Sequence, residues 1–379
     1  MWISELRFQD PRTKTYLGSP SITRLPDGAL IGTHDYFGAG SPHNMEDEEH
    51  LTSVYRSEDN GITWRNITHV SGAYWSTVFV HNGALYLFGA SAQYGSMVIR
   101  RSDDGGYSWT YPVDENTGLI SRGGPYHEPP NYHCAPVPVL VHNGRIYRAF
   151  EDNSRIDYGR DFLAVVVSAP VDADLLKAES WTISNKLKFE GAKAPQYSGN
   201  PTWLEGNIVA DPDGQLWNVL RFNAGSREDP VFNTAAFVKI DDEGKTLSFD
   251  YQTGFRHLPG GATKFTIRHD PKSNLYWTMV NEQQHEPYPL RRNRLSLFTS
   301  PDLREWTRRK ILLEDNLEAI PEDSIRNTGF QYVDWIFDPA EDDTLLYLVR
   351  TAYDGAHNFH DANRITFSRV RNFRHLVKD

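Results

Sequence analysis

The stretch "SVYRSEDNGITW" (Ser53–Trp64) carries the spacing Ser57, Asp59, Gly61, Thr63, Trp64, and "IRRSDDGGYSW" (Ile99–Trp109) repeats it as Ser102, Asp104, Gly106, Ser108, Trp109. The chemistry is that of a tied hairpin. A short aspartate side chain caps backbone N–H groups, glycine takes a positive φ, and tryptophan packs against whatever lies alongside. Weaker copies follow at "SPDLREW" (Ser300–Trp306) and "DDEGKTLSF" (Asp241–Phe249). A turn written this often implies a repeated sheet.

A second signal runs in phase with the first. "PDGALIGTH" at 26, "HNGALYLFGA" at 81, "HNGRIYRAFE" at 142, "PDGQLWNVLR" at 212, "KSNLYWTMVN" at 272 and "EDDTLLYLVR" at 341 each join a turn to an alternating strand. Asp-Gly and Asn-Gly favour hairpins, and strict alternation marks half-buried strands. The spacing suits one four-stranded antiparallel sheet per repeat. Helical patterns are scarce, and no linker divides the chain. The sequence therefore predicts an all-β protein, one β-propeller over residues 1–379, with six turn signals and room for a seventh blade in 222–270.

Composition narrows the partners. A net charge of -11 argues against nucleic acid. The single cysteine, Cys134, excludes an intrachain disulfide and a cysteine-bound zinc cluster. "MWISELRFQD" is too polar for a signal peptide, and no apolar run is long enough to span a membrane. A sequon at Asn66 points to secretion, and the expectation is an extracellular monomer without a membrane partner.

Propellers bind ligands at the channel mouth, so polar residues that interrupt strand patterns are the informative ones. Five segments qualify. "GTHDYFGAGSPHN" offers His34, Asp35 and His43. "YHEPPNYHCAPVPVL" puts His133 at a strand entrance stiffened by prolines, with His127 nearby and Glu151, Asp152 and Asn153 ending the next strand. "QYSGNPTWLEGNIVADPDGQLWNVLR" offers Tyr197, Trp203, Glu205, Asn207 and Arg221, the arginine placed to hold a carboxylate. Lys264 and Arg268 are spaced to share one strand face. The last segments carry Arg326, Asn327, Gln331, Tyr332, Asp334, Arg350, Tyr353, His357 and His360, the two histidines being the place to look for a metal. Basic and aromatic groups in an acidic protein suit an acidic oligosaccharide or polysaccharide. Arginine or lysine would neutralise a uronate, and histidine or tyrosine would move the proton on the adjacent carbon.

The tied turns resemble the Asp boxes of sialidase-like propellers. True sialidases carry an Arg-Ile-Pro motif before the first hairpin, an arginine triad and a Tyr/Glu nucleophile pair. Here "LGSPSITRLPDG" has Gly18, Ser19 and Pro20 in that place, which argues against sialic acid cleavage. "GTHDYFG", "YHCAPVPVLVHNGRIYRAFE", "WLEGNIVADPDGQLWNVLR", "GGATKFTIRHDPKSNLYW", "FQYVDW" and "RTAYDGAHNFHDAN" resemble blocks of seven-bladed ulvan lyases and of propeller enzymes acting on rhamnose linked to glucuronate. That resemblance implies seven blades. It also implies a lyase mouth at His133, Tyr197 and Arg221, and a rhamnosidase histidine at His34 on the opposite face. Glu151 and its neighbours stand where such lyases have a second histidine. No cofactor is required on this reading, with structural calcium or zinc as the one addition. The leading expectation is β-elimination at a rhamnose–glucuronate linkage. Catalysis would fall to His133, Tyr197 and Arg221, with binding by Lys264, Arg268, Tyr332, Arg350, Trp203, Asn153 and His357. The alternatives are an α-L-rhamnosidase using His34 and a non-catalytic glycan-binding propeller.

Overall fold

A computed structural model describes residues 2–126, 128–153, 161–225, 230–282, 291–315 and 321–378. Among these, the strands form six antiparallel sheets. Blade 1 runs from Ser21–Arg24, with Tyr16–Leu17 beside it, through Leu30–Phe37 and Leu51–Ser57 to Arg65–Ser71. Blade 2 is Tyr74–His81, Ala84–Ala90, Met97–Ser102 and Leu119–Ser121. The inner strands of blades 3 to 6 begin at Tyr132, Thr202, Thr266 and Gly329, and their second strands end at Asn153, Gly225, Val280 and Ala352. The N-terminal strand Ser4–Phe8 pairs with Arg364–Arg371 and completes blade 6, so the first strand and the last share one sheet.

Hydrophobic packing closes the ring. Leu346 and Leu348 pack with Leu17, Ile22 and Tyr55 of blade 1, while Leu345, Tyr347 and Val349 of the same strand pack with Trp277, Met279 and Leu297 of blade 5. Alternate side chains thus face opposite neighbours. Equivalent clusters join blades 1–2, 2–3, 3–4 and 4–5. Six clusters at six interfaces leave no open gap.

The six turn signals prove to be one per blade, each joining the innermost strand to the second. The seven blades implied by the resemblance are not formed. The stretch reserved for a seventh supplies Thr234–Asp241, Thr246–Ser248 and Phe255–His257, outer strands of blade 4, and the start of blade 5. All four Asp-box turns lie between third and fourth strands. Asp59 Oδ1 accepts from the Ile62 and Thr63 amides, Ser57 Oγ accepts from the Gly61 amide, and Trp64 Nε1 donates to Ser4 Oγ of blade 6 at 3.1 Å. Gly61 has φ +82°, and a Cβ there would sit 2.1 Å from the Phe367 ring. Gly61→Ala should therefore loosen the blade 1–6 junction by about 2–4 kcal/mol, read as a lower urea midpoint with unchanged slope.

The inner strands alternate in character. Those of blades 2, 4 and 6 each carry a bulge, between Tyr74 and Thr77, Leu204 and Asn207, and Gln331 and Asp334. In each the bulged residue has positive φ: Trp75 at 46°, Glu205 at 56° and Tyr332 at 52°. Two residues later a buried polar side chain reaches the next blade. Thr77 Oγ1 donates to the Val137 carbonyl, Asn207 Oδ1 accepts from the Ile267 amide, and Asp334 Oδ2 accepts from the Ile22 amide. Even blades clamp odd ones, and the three bulges aim large side chains at one end of the channel.

Candidate active site

Non-glycine residues in the left-handed region are uncommon, and they gather where geometry matters more than backbone comfort. Two of these three meet directly. The Tyr332 hydroxyl donates to Glu205 Oε1 at 2.7 Å, while Glu205 Oε2 accepts from Arg221 Nη1 at 3.0 Å. Gly206 lets the bulge form, because a Cβ there would lie 2.1 Å from Asn218 Oδ1. Burial pushes the Glu205 carboxyl up, but Arg221, the Tyr332 hydroxyl and His133 outweigh it and hold the pKa below the ordinary value. Glu205 is a carboxylate at neutral pH.

Three guanidinium groups surround Tyr332. Arg221 Nη1 is 3.4 Å from its hydroxyl, and Arg292 and Arg350 lie 5.8 and 4.8 Å from its ring centre. They come from blade 4, the entrance to the third strand of blade 5, and blade 6. Arg292 is 5% exposed, Nη1 donates to Gln331, and Nε has no hydrogen-bond partner among the described residues. Burial, then repulsion from Arg221 and Arg350, lowers its pKa to about 10. An anion placed here would relieve that repulsion.

Asp35 faces this group from blade 1, on the same strand face as Phe37, whose ring lies 4.4 Å from the Arg350 guanidinium. Its Oδ2 accepts the Trp75 amide at 3.1 Å. The Thr52 hydroxyl is 2.7 Å from both Asp35 Oδ1 and the Ala73 carbonyl. A hydroxyl has one proton, and a carbonyl can only accept. Both contacts are satisfied when Asp35 is neutral and donates to Thr52. Burial independently raises its pKa to about 8. Glu205 and Asp35 thus form a pair of carboxyl groups whose environments drive them apart, one ionised and one protonated.

Several expected residues join this centre and others do not. His133 does: its Nδ1 is 2.8 Å from Glu151 Oε2, its ring packs edge-on to Trp75 at 4.3 Å, and Glu151 Oε1 accepts the Gly206 amide. Arg221, Tyr332 and Arg350 are central, and Asn153 ends a second strand at the same mouth. Lys264 lies deeper, donating to Thr266 Oγ1 and the Val333 carbonyl; burial lowers its pKa to about 8. Arg268 shares its orientation toward blade 6, where Nε donates to the Trp335 carbonyl. Tyr197 is elsewhere. Its ring packs on Phe222 and Phe255, and Phe222 points away from the side that Arg221 uses. His133, Tyr197 and Arg221 therefore do not form one constellation. Trp203 is core, with Nε1 donating to the Phe162 carbonyl.

His34 is fully buried at the same end of the channel as Arg221, not the opposite one, and stacks on Tyr55 with its pKa lowered by burial to about 4. His357 and His360 each direct Nδ1 to Asp361, and the described residues hold no group of three or more His, Cys, Asp or Glu suited to a metal. His127 lies outside the described residues. Sequence reading missed Trp75 and Arg292 and gave no role to Asp35 or Glu205. One signal was available: Trp75, Glu205 and Tyr332 stand equally far ahead of the turn-opening residues His81, Asp211 and Asp338.

At the opposite end of the channel lies a cavity of about 570 Å³ with a mostly apolar wall that includes Leu140, Ile208, Ile267 and Phe337. The opposed carboxyl groups and clustered arginines are all at the other end.

No protein-family profile matches the sequence, and no curated protein matches it. Solved structures do. An α-L-arabinanase of Penicillium chrysogenum complexed with arabinobiose is 15% identical over 98% of this chain and 99% of that one, with TM-score 0.61. An α-L-arabinofuranosidase mutant from Fusarium graminearum in complex with an iminosugar inhibitor is 14% identical over 98% of each, with TM-score 0.64. A leech intramolecular trans-sialidase complexed with 2,7-anhydro-Neu5Ac is 12% identical over 100% of this chain and 71% of that one, with TM-score 0.59. At these identities the likeness is one of fold, and the fold is the one these carbohydrate-active propellers share.

Proposed function

We propose that this protein is a retaining glycoside hydrolase that releases a carboxylated sugar. The observation that carries this reading is the Tyr332–Glu205 hydrogen bond set among three arginines. Arg221, Arg292 and Arg350 hold the substrate carboxylate. A nucleophile approaching an arginine-bound anion does better uncharged, since a carboxylate would be repelled. Tyr332 meets that need, as tyrosine does in sialidases. As its oxygen bonds to the anomeric carbon, the phenol proton passes to Glu205. The glycosidic bond breaks, and Asp35 gives its proton to the leaving oxygen. Water then attacks the glycosyl–tyrosine, losing a proton to the Asp35 carboxylate, while Tyr332 leaves and recovers its proton from Glu205.

Three guanidinium groups gather around Tyr332 although no arginine stands at Gly18–Pro20, which keeps sialic acid among the candidates beside uronic acids. Linkages to glucuronate, including rhamnose–glucuronate, belong in the same test. Elimination would draw on the same arginines with His133 and Tyr332 as proton carriers; the bond from Tyr332 to Glu205 favours hydrolysis. Aryl glycosides of sialic and glucuronic acids, gum arabic and ulvan would be incubated with the protein, and free sugar and ultraviolet absorbance followed. Release of a saturated acidic sugar supports the proposal. An absorbing unsaturated uronate would establish elimination, and binding without release would establish a glycan-binding module. Arg292→Met should raise KM for an active substrate about 100-fold.

A further inference from the structure

The arginines account for the carboxylated sugar, and its leaving group needs a place of its own. A cavity of about 520 Å³ lies between blades 1 and 2, beside the reaction centre. Its inner end is anchored twice. Gly72 lines it and precedes Ala73, whose carbonyl shares the Thr52 hydroxyl with Asp35. Tyr94 lines it too, with its ring 6.2 Å from Trp75 and 6.2 Å from His133. Trp75 occupies the same bulge position in blade 2 as Glu205 and Tyr332 do in blades 4 and 6, and it is half-buried. Tyr111, 67% exposed, lines the same cavity, its ring 5.0 Å from the Arg100 guanidinium.

The lining has a definite chemistry. Backbone is laid bare at glycines that cannot carry a side chain. A Cβ on Gly95 would lie 2.3 Å from Ser91 Oγ, and one on Gly124 would lie 1.8 Å from the Glu128 carbonyl. Exposed backbone with flanking aromatics and serines suits a sugar ring and its hydroxyls. Glu46 and Glu48 line the cavity, and among the described residues no lysine or arginine does. The three arginines of the reaction centre stand on blades 4 to 6 and these two carboxylates on this side, while the Arg100 guanidinium behind the wall is engaged by the Ser71 and Gly72 carbonyls. An anionic sugar is drawn to the first and repelled by the second.

We infer that this cavity is the leaving-group subsite, and that it selects a neutral, hydroxyl-rich sugar. The inference rests on the hydrolase reading and specifies its substrate: a terminal carboxylated sugar joined to an uncharged one. Three substrates test it, each carrying the acidic sugar released in the assay above: an aryl glycoside, a disaccharide with neutral galactose, and a disaccharide with a uronate. The neutral disaccharide should exceed the acidic one in kcat/KM by about 10-fold or more, and Glu46→Lys should remove most of that preference. Tyr111→Ala should raise KM for the neutral disaccharide about 3- to 10-fold. Inhibition by the free acidic sugar, which is held at the arginines, should be the same in both variants as in the parent. A preference that survives Glu46→Lys, or equal losses on all three substrates, overturns the inference while leaving the hydrolase reading intact. Lactose alone, titrated with tryptophan fluorescence as readout, is independent of turnover. Binding weakened by Tyr111→Ala supports the subsite, and no binding to the unaltered protein rejects it.

Discussion

On the hydrolase reading, Tyr332→Phe should abolish turnover, by about 1,000-fold or more, in a protein that folds as before. The phenylalanine keeps the ring beside Arg292 and Arg350, and it removes only the oxygen that bonds Glu205. A nucleophile has no substitute within reach, so the loss falls on kcat, while carboxylate binding by the arginines holds KM close to its original value. Glu205→Gln should act in the same direction, because it removes the base that takes the phenol proton. Steady-state kinetics on the aryl glycoside, with circular dichroism as the control for folding, decides the matter. If Tyr332→Phe retains more than a tenth of the activity, Tyr332 is not the nucleophile.

The second large effect belongs to Asp35. As general acid it must hold its proton, and burial places its pKa at about 8. In the free protein kcat/KM should therefore fall about tenfold for each pH unit above about 8, giving the alkaline limb of the profile. Asp35→Asn should cut turnover at neutral pH by about 100- to 10,000-fold for substrates with poor leaving groups. The same substitution should help the fold. Asparagine reproduces the neutral acid: its Nδ2 can donate to Thr52 while its Oδ1 accepts the Trp75 amide, as Asp35 does. The unfolded carboxyl loses its proton near the ordinary value of 3.8 and the folded one near 8, so folding stability declines as pH rises between them. Asparagine has no proton to lose. Asp35→Asn should show a higher Tm than the parent at pH 8 and little difference at pH 4. Lost activity together with unchanged pH dependence of Tm would separate a catalytic role from a buried acid.

Which parts of this were legible in the chain depends on how local the responsible physics is. The tied turns at Ser57–Trp64 and Ser102–Trp109 are set by side chains within a few residues of one another, and both form as written. The six hairpin signals each gave one blade, because the positive φ they require is supplied by their own residues, such as Gly28, Gly83, Gly144 and Gly214. A seventh blade was allowed for because 222–270 is poorly patterned and was then favoured by likeness to other proteins; no turn signal stood behind it, and it was the part of the architecture that did not form.

The site was readable only in fragments. Arg221 at the end of a strand, Tyr332 in an apolar run and His133 at a strand entrance were visible as polar interruptions, and all three border the centre. Tyr197 looked equivalent but packs in an aromatic cluster, because which side of a strand a loop residue meets is fixed by the neighbouring sheet. Asp35 stands beside His34 in the sequence. Nothing local distinguishes them, yet their side chains point to opposite faces of one strand, one toward Arg350 and the other into the packing around Tyr36 and Tyr55.

By itself the sequence determined the repeat, its turns and the alternation that builds each blade, since these follow from interactions among near neighbours. Only the tertiary structure decided that Glu205 meets Tyr332 and that three arginines from three blades surround them. Those residues are far apart along the chain, and closure of the ring is what brings them within hydrogen-bonding reach.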